Sequence, residues 1–453
     1  APPESAHQQS AGSESGTWKV LATCTLAFLL VVLPPLGAGV PPAPAETPMA
    51  ASAVGPPPSR RYLNFTGFPF PLGPFTERQT VMTELVKDRV YRFEQTQDLG
   101  GITANVASVV FRMRDNRLLV YNPVAPTEEF LQQLKGLNSG GVAHILLGTT
   151  PYEHKIYLAP FSREFPSAKV WAVPDQFSWP IDLPGPLLGI NTTGGQLVDT
   201  AGESGAKAYA NAPDLTAEFE VKLLRTKQRF AFGATVGEEA AILHKDTKVL
   251  ALTDALVNVP AKPTEVYTES ALLAVGDNTR NGSTVGNLVL KGAAAVNWRG
   301  SMQTQTEALW AASDAGGEGS LEERLQRGWE RNTLLGLFFG PSPSSLVDPH
   351  PSFQSLSDRW IVAPVTDALI YRSDRFRPEL ARWVDDVARW DFQVIAPSHF
   401  AARPGTSADF QAAFAPTLAK TPSGANEANR PYNAGDVQLL EEISDVLQRL
   451  RII

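Results

Sequence analysis

The feature that most constrains the fold is an alternation of strand and helix patterns between residues 104 and 173. Two β-rich runs, 104–113 and 117–124, flank a short polar turn and predict a hairpin. A helix signal starts at Thr127, and two further apolar strand segments, 143–147 and 169–173, are separated by a helical segment. Strands and helices that alternate in this way predict a layered α/β fold with a partly parallel sheet.

The second half of the chain repeats these signals with more helix. A second hairpin is predicted at 239–243 and 248–253, and a strand at 392–396. Helical patterns cover 321–339, 377–390 and the C-terminal stretch with its apolar stripe. Residues from about 260 to 319 lack periodicity and predict an irregular insertion. We therefore expect one domain over 90–414, followed by a linker and an amphipathic helix within 415–453.

The N-terminal region divides by composition into three segments. Residues 1–17 are polar and predict a disordered tail. Residues 18–45 contain an apolar run that ends in a Pro-rich stretch, and residues 46–89 predict an extended Pro/aromatic arm on the domain surface. The run 18–33 is shorter than the roughly 20 residues of a membrane span and longer than a short signal core, so a cleaved export signal and a retained anchor both remain open.

Charge and cysteine content exclude several classes of function. The formal net charge is −8 and no basic cluster stands out, which argues against nucleic acid as a partner. The single cysteine, Cys24, lies in the apolar run, so the folded part has neither a disulfide nor a thiolate metal site. Sequence motifs for phosphate cradles and for the α/β-hydrolase nucleophile are missing as well. A metal site in the predicted domain would need histidine and carboxylate ligands.

Four such residues stand just after predicted strands: Glu153, His154, Asp254 and His399. Loops at the carboxyl ends of strands carry ligand-binding side chains in layered α/β proteins, and separate strands can bring them together. Two imidazoles and two carboxylates suit one divalent metal ion such as zinc, iron or manganese, which could activate water for a hydrolysis. The alternative is structural: both histidines form loop hydrogen bonds and Asp254 caps a backbone end.

Two other histidines are expected to have no chemical role. His144 lies within an apolar strand segment and is predicted to be a hydrogen-bonded core residue. His244 lies at the predicted turn of the second hairpin and is expected to face solvent.

Several collinear segments resemble domain-of-unknown-function family 4336 of plants, algae and cyanobacteria, a distant part of the metallo-β-lactamase-like superfamily. They span most of 90–414 and include ILLGTTPYEHKIYLAPFSREFPSAKVWAVPDQFSWPIDLP, GWERNTLLGLFFGPS and FQVIAPSHFAA. The resemblance implies an αββα sandwich of two mixed β-sheets flanked by helices, with a site along one sheet edge. It also implies residence in the plastid (chloroplast), at the thylakoid membrane or in its lumen.

The sequence retains only part of the metal-binding motif of that superfamily. The pattern H-x-H-x-D-H falls on residues 149–154, so Thr149 and Pro151 replace two metal-binding histidines. Another histidine is expected near 232–238, and the sequence has none there. One metal position is therefore predicted to be lost. The other position keeps a complete set of counterparts, which are Glu153, His154, Asp254 and His399.

Two functions follow from these observations. The missing ligands and the apolar run favour a non-catalytic binding or assembly factor that contacts a membrane or a membrane-protein complex through residues 18–33. The retained set favours a mononuclear metallohydrolase acting on a small anionic substrate of unknown identity, which Lys155 or Tyr152 would steady. The hydrolase requires the four side chains to converge within metal-binding range.

Overall fold

Two mixed β-sheets lie at the centre of the computed structural model, which describes residues 57–62, 77–99, 102–176, 184–226, 238–277, 319–419 and 432–449. The predicted tail 1–17, the apolar segment 18–45 and most of the predicted arm and insertion lie outside these residues. Within the described ranges, no helix combines the length and the hydrophobicity needed to cross a bilayer.

The first sheet contains seven strands in chain order. They are β1 (Val81–Val86), β2 (Val90–Leu99), β3 (Ile102–Arg112), β4 (Leu118–Tyr121), β5 (Val142–Leu147), β6 (Lys169–Ala172) and β7 (Gly195–Gln196). Strands β1 to β4 form an antiparallel meander, and β4 to β7 run parallel. The predicted first hairpin is confirmed by the pairing of β3 with β4.

The second sheet contains five strands in the order β14-β13-β10-β9-β8. They are β8 (Phe219–Leu224), β9 (Glu239–His244), β10 (Val249–Leu252), β13 (Val394–Pro397) and β14 (Arg403–Pro404). Among these described strands, only β10 and β13 are parallel neighbours, so their carboxyl ends emerge at the same sheet edge. A separate two-stranded sheet pairs β11 (Val257–Asn258) with β12 (Trp360–Ile361).

Helices cover the outer faces of both sheets and fill the space beside them. They are α1 (Glu128–Gly136), α2 (Tyr152–Lys155), α3 (Leu158–Glu164), α4 (Gly202–Ala208), α5 (Pro213–Glu218), α6 (Glu269–Gly276), α7 (Leu321–Phe338), α8 (Pro343–Val347), α9 (His350–Leu356), α10 (Pro364–Thr366), α11 (Arg377–Ala388), α12 (Ser407–Leu418) and α13 (Ala434–Arg449). Helix α1 begins as predicted, because the Thr127 side chain accepts a hydrogen bond from the Phe130 amide and two acids follow it.

Three apolar layers hold this arrangement together. Side chains such as Phe111 and Ile242 pack between the two sheets. Phe130 of α1 packs on the outer face of the first sheet, and Trp383 of α11 packs on that of the second. Full burial of such a side chain stabilises the fold by about 1.5–3 kcal/mol. The expected αββα sandwich of two mixed sheets flanked by helices is therefore confirmed.

The structure differs from the sequence-based expectations at three places. Strand β1 lies before residue 90, where the sequence predicts the domain to begin, because this exposed edge strand lacks the alternating pattern of a half-buried one. Helix α6 lies inside the predicted irregular insertion, of which 278–318 are outside the described residues. Helix α12 extends to Leu418, beyond the predicted boundary at residue 414.

The predictions for His144 and His244 have different outcomes. His144 is buried as predicted, and its ring nitrogens contact the Asp214 carboxylate at 3.1 Å and the Trp171 indole N–H at 3.2 Å. The expectation that His244 faces solvent is wrong. Its ring is fully buried and stacks on Phe219, because His244 is the last residue of β9 and pairs with both Phe219 and Val249, and the turn begins only after it.

Candidate metal centre

The four predicted ligands lie on three elements that end at one edge of the sandwich. Glu153 and His154 are on α2, which follows β5 of the first sheet after a short loop. Asp254 and His399 each stand two residues beyond a strand, after β10 and β13 respectively. Since β10 and β13 are parallel neighbours, these two side chains start from adjacent positions of the second sheet.

The side chains converge around the Asp254 carboxylate. Its Oδ1 atom lies 3.0 Å from Nε2 of His399 and 3.4 Å from Nε2 of His154. Ligand atoms of Glu153, His154 and His399 lie within 4.8 Å of one another. The two histidines are therefore close both to Asp254 and to Glu153, while Asp254 is not part of the group that Glu153 forms with them. The role of these residues as metal ligands remains a prediction.

Histidine chemistry at this position fits a metal ion. His154 is only 2% exposed, and its Nε2 atom has no hydrogen-bond partner among the described residues, although Asp254 is near. Nδ1 of His399 lies 2.7 Å from the main-chain oxygen of Asn105, which can only accept, so the proton is on Nδ1. In both imidazoles Nε2 is therefore the nitrogen that faces the carboxylate and is placed to coordinate.

The charges of the site are strongly interdependent. Burial would raise the pKa of Asp254, but the nearby imidazole of His154 and the hydrogen bond from His399 hold it well below its usual value. Burial alone would lower the pKa of His399, and the bond to Asp254 reverses that effect and raises it. The site thus keeps an anionic carboxylate between two imidazoles. Asp254 and His399 are 23% and 17% exposed in their side chains, so small molecules can reach them.

A second carboxylate lies directly under Asp254. Glu239, at the start of β9, is 1% exposed and accepts hydrogen bonds from the amides of Thr253 and Asp254, the latter at 3.1 Å. Burial, together with the charge of Asp254, raises the pKa of Glu239 to about 8. Glu239 therefore fixes the turn that presents Asp254.

The His399 loop is held by Asn105, which sequence reasoning missed. The Asn105 side chain accepts the Phe400 amide at 2.8 Å and donates to the Glu94 carboxylate and the Phe400 carbonyl, each at 2.8 Å. Phe400 has φ of 56°. This conformation costs a non-glycine residue about 1–3 kcal/mol, so it persists only where surrounding contacts hold it. The only sequence signal for this function is a polar residue in the middle of the apolar strand β3.

A hydrogen-bonded group of uncharged residues ties the two sheets together below the site. The Asn122 amide donates to hydroxyls of Thr253 at 2.9 Å and Ser398 at 3.1 Å, and its oxygen accepts the Gly148 amide at 2.8 Å. The Tyr121 hydroxyl donates to the Ala240 carbonyl at 2.9 Å. Residues from both sheets are thereby fixed next to the four predicted ligands.

Thr149, which replaces a histidine of the metal position predicted to be lost, forms contacts that hold the fold. The Thr149 hydroxyl donates to the Glu238 carbonyl at 3.1 Å, and Thr149 forms an isolated antiparallel β-bridge with Glu239, outside the strand pairings of the two sheets. Pro151 directly precedes α2, and its side chain makes no capping hydrogen bond to that helix. Residues 227–237, which cover most of the stretch where a further histidine is expected, lie outside the described residues. Thr149 and Pro151 offer no ligand nitrogen, in agreement with the loss of that position.

A second group of acids and histidine lies elsewhere, formed by Glu218, His244 and Asp246. Its negative charge is already balanced by arginines, since Asp246 binds the guanidinium groups of Arg89 at 3.2 Å and Arg114 at 2.8 Å. These ion pairs explain the group without a metal ion.

The two residues expected to steady an anionic substrate are adjacent to the site in sequence. Lys155 is only 4% exposed, and its ammonium lies 4.9 Å from the centre of the Tyr152 ring, a cation–π contact. Lys155 can therefore act on a ligand through its charge more readily than by direct contact.

The sequence matches the family described as Domain of unknown function (DUF4336) over residues 87–350 and 347–415. No curated protein matches it. Among solved structures, the DIM-1 metallo-β-lactamase exposed to ceftazidime is 8% identical over 74% of this chain and 94% of its own, with a TM-score of 0.33. A metallo-β-lactamase from Pontibacter korlensis is 11% identical over 49% and 100%, with a TM-score of 0.30. The metal-soaked Flv1 flavodiiron core from Synechocystis sp. PCC6803 is 10% identical over 75% and 61%, with a TM-score of 0.36.

Proposed function

The chain belongs to the family described as Domain of unknown function (DUF4336), and we propose that it binds one divalent metal ion through Glu153, His154, Asp254 and His399. The observation that carries the proposal is the Nε2 atom of His154, which is buried without a hydrogen-bond partner in the described part of the chain. A buried polar atom of this kind costs about 1–3 kcal/mol, and a coordinated cation would remove that cost.

The ligand set favours zinc, iron or manganese, because imidazole and carboxylate together suit these borderline ions. A bound ion would supply Lewis-acid polarisation of a ligand oxygen. Asn105 would keep the His399 ring oriented, and Glu239 would keep the Asp254 turn in place. The partly exposed side chains of Asp254 and His399 leave one side open for a small anionic substrate.

We propose hydrolysis of such a substrate as the reaction that this site would support. Lys155 would lower the energy of the anionic substrate through its positive charge. The solvent-accessible edge of Asp254, which stays ionised, would accept a hydrogen bond from the substrate or from water. The chemical class of the substrate beyond its negative charge is open.

The test is elemental analysis of the purified protein after dialysis against a weak chelator. The unmodified chain should retain about one equivalent of metal, and the variant His154→Ala/His399→Ala should retain almost none. His350→Ala is the matched control, since His350 is largely exposed and pairs with Glu330 away from these ligands. Equal metal content in the double variant and the unmodified chain would overturn the proposal.

A second candidate, a non-catalytic binding or assembly role, is supported by Thr149. Its hydroxyl donates a hydrogen bond to the Glu238 carbonyl, which supports the prediction that Thr149 does not act as a ligand at a second metal position. In this case the metal would stabilise the fold without turnover. Assays against phosphate esters and cyclic amides distinguish the two candidates: only a hydrolase shows activity that disappears in the double variant.

Plastid residence and attachment to the thylakoid through residues 18–33 are also proposals. They are supported by the apolar run, which has no charge after Lys19. Immunodetection of the native protein in purified chloroplasts, followed by carbonate extraction of the thylakoids, tests both. Absence of the native protein from purified chloroplasts would refute plastid residence. Release of the protein by carbonate to the same extent as a variant lacking 18–33 would refute the anchor.

A further inference from the structure

Two charged residues lie on the inner face of strand β2, where apolar residues of the core would be expected. Side chains at alternate positions of a strand point to the same face, and Val90, the first residue of β2, packs between the two sheets. Arg92 and Glu94 follow on that face and are buried, with 2% and 6% of their side chains exposed. The intervening Tyr91 and Phe93 pack on the outer face of the sheet. The inner face of β2 therefore carries a buried ion pair.

The guanidinium group of Arg92 contacts both ends of the loop that carries His399. Its Nη2 atom donates to the Phe400 carbonyl at 2.7 Å and, at a longer 3.4 Å, to the Pro397 carbonyl. These two carbonyls flank the Ser398–His399 dipeptide. The Nη1 atom binds the Glu94 carboxylate at 2.6 Å. Arg92 therefore ties the His399 loop of the second sheet to a strand of the first.

Glu94 connects this arginine with Asn105. One carboxylate oxygen of Glu94 binds Arg92, and the other accepts the Asn105 side-chain amide at 2.8 Å. The same amide also donates to the Phe400 carbonyl at 2.8 Å. The Phe400 carbonyl thus accepts hydrogen bonds from both Arg92 and Asn105. Both donors are held in turn by the one carboxylate of Glu94.

The stability of the fold does not by itself explain a buried ion pair at this position. The cost of removing two charges from water offsets much of their attraction, so a well-packed apolar pair would stabilise a protein as well or better. An apolar pair could not donate hydrogen bonds to the loop carbonyls. A guanidinium group presents several donors in a fixed plane and can bind a carboxylate and carbonyls together. The Arg92–Glu94 pair is therefore better explained by the loop that it holds.

We propose that Arg92, with Glu94 as its counter-ion, is a positioning residue that sets the His399 ring in place before a metal ion binds. Its functional meaning rests on the proposed metal site, in which His399 is a ligand. Arg92 and Asn105 fix Phe400 in its left-handed conformation, and Nδ1 of His399 then stays against the main-chain oxygen of Asn105. Nε2 of His399 is thereby directed to Asp254 and to the metal position.

The test compares Arg92→Met with Arg331→Met in the full chain. Arg331 is the matched control because it is also 2% exposed and binds main-chain carbonyls, those of Leu346 and Gly276. Metal is removed with a chelator, and the Nδ1–H proton of His399 is followed by NMR with isotope-labelled histidine and assigned through His399→Gln. We expect its signal in the unmodified chain and in Arg331→Met. In Arg92→Met it should be lost through exchange with water.

Zinc affinity, measured by competition with a coloured chelator, is the second readout. Arg92→Met should weaken zinc binding about 10–100-fold, the usual effect of removing a group that orients a ligand, whereas Arg331→Met should leave it unchanged. Arg92→Lys keeps the positive charge beside Glu94 and a donor for the Phe400 carbonyl. It should therefore recover part of the affinity that Arg92→Met loses.

Glu94→Gln takes the place of Arg92→Met if that variant does not fold. Its amide presents one acceptor oxygen instead of two for Arg92 and Asn105, so the same loss of signal and of affinity is expected. A His399 Nδ1–H signal that is absent from the unmodified chain, or that persists without Arg92, would overturn the proposal, as would equal effects of Arg92→Met and Arg331→Met. If the unmodified chain binds no zinc, the proposed metal site is wrong, and the NMR comparison alone decides the role of Arg92.

Discussion

The main-chain oxygen of Asn105 lies 2.7 Å from Nδ1 of His399, and the side chain of the same asparagine binds both backbone polar groups of Phe400. One residue of β3 therefore sets the tautomer of His399 and the path of the loop that carries it. Asn105 belongs to the first sheet and His399 follows a strand of the second, so this contact also links the two sheets at the candidate centre.

Replacing Asn105 with alanine should loosen this loop. The buried Glu94 carboxylate and the Phe400 backbone would lose partners, which we expect to lower the free energy of unfolding by about 2–4 kcal/mol. Metal affinity should fall about 10–100-fold, as is typical when a group that orients a ligand is removed. Titration with zinc and urea unfolding measure the two effects.

Gln95→Ala is the matched control for this prediction. Gln95 is a buried amide whose bonds go to Thr80 and Ala125 and not to the His399 loop. A similar loss of stability with unchanged metal affinity is expected. If both variants lose the same affinity, Asn105 acts only through general stability.

Glu239→Ala should disturb the opposite side of the site. The amides of Thr253 and Asp254 would be left unpaired in a buried region, at a cost of about 2–4 kcal/mol in unfolding free energy, and metal binding should weaken. Asp436→Ala removes another buried carboxylate, one that accepts the Ser342 amide in the α13 region, and should destabilise the fold without changing metal binding. Calorimetric titration that finds identical affinities in both variants would contradict the positioning role.

Gly148→Ala should destabilise the fold because the new methyl group would overlap the Tyr121 ring. Overpacking of this kind costs about 1–3 kcal/mol. In a Tyr121→Leu background the ring is gone, so the same substitution should cost much less. A double-mutant cycle by urea unfolding measures the difference, and a cost that is equal in both backgrounds would rule out the ring as the cause.

Protonation of His244 should lower the stability of the protein in acid, whereas the raised pKa of Glu239 acts in the opposite direction as the pH falls from 8 to 4.5. The effect of His244 is therefore measured as a difference between variants. Burial, together with the charges of Arg89 and Arg114, lowers the pKa of His244 from 6.5 to about 4. The unfolded chain binds this proton more readily than the folded one. The stabilising contribution is therefore complete above pH 6.5 and is lost as the pH falls from 6.5 towards 4, at a total of about 2–3 kcal/mol.

Urea unfolding at several pH values between 7.5 and 4.5 tests this prediction. His244→Gln should raise the unfolding free energy at pH 4.5, relative to that at pH 7.5, by about 2–3 kcal/mol compared with the unmodified chain. His350→Gln, a change at an exposed histidine, should leave this difference unchanged. An unchanged difference in the variant at position 244 would contradict the assignment to His244.

The layered fold could be predicted because its signals are local. Apolar alternation in β3 and β9, the Thr127 cap and the strand-end positions of His154, Asp254 and His399 are all visible along the chain. Strand β1 could not be found in this way, because an exposed edge strand is defined by its pairing partner more than by its own pattern.

The sequence by itself determined which residues were available for a metal: two histidines and two acids after strands, and no cysteine beyond Cys24 of the N-terminal apolar run. Only the tertiary structure decided that Asp254 lies between His154 and His399, that Asn105 and Glu239 hold them, and that His244 is buried. The physical reason is that hydrogen bonds and burial depend on distances between strands far apart in the chain. Those distances are set by sheet register and packing, which no local pattern contains.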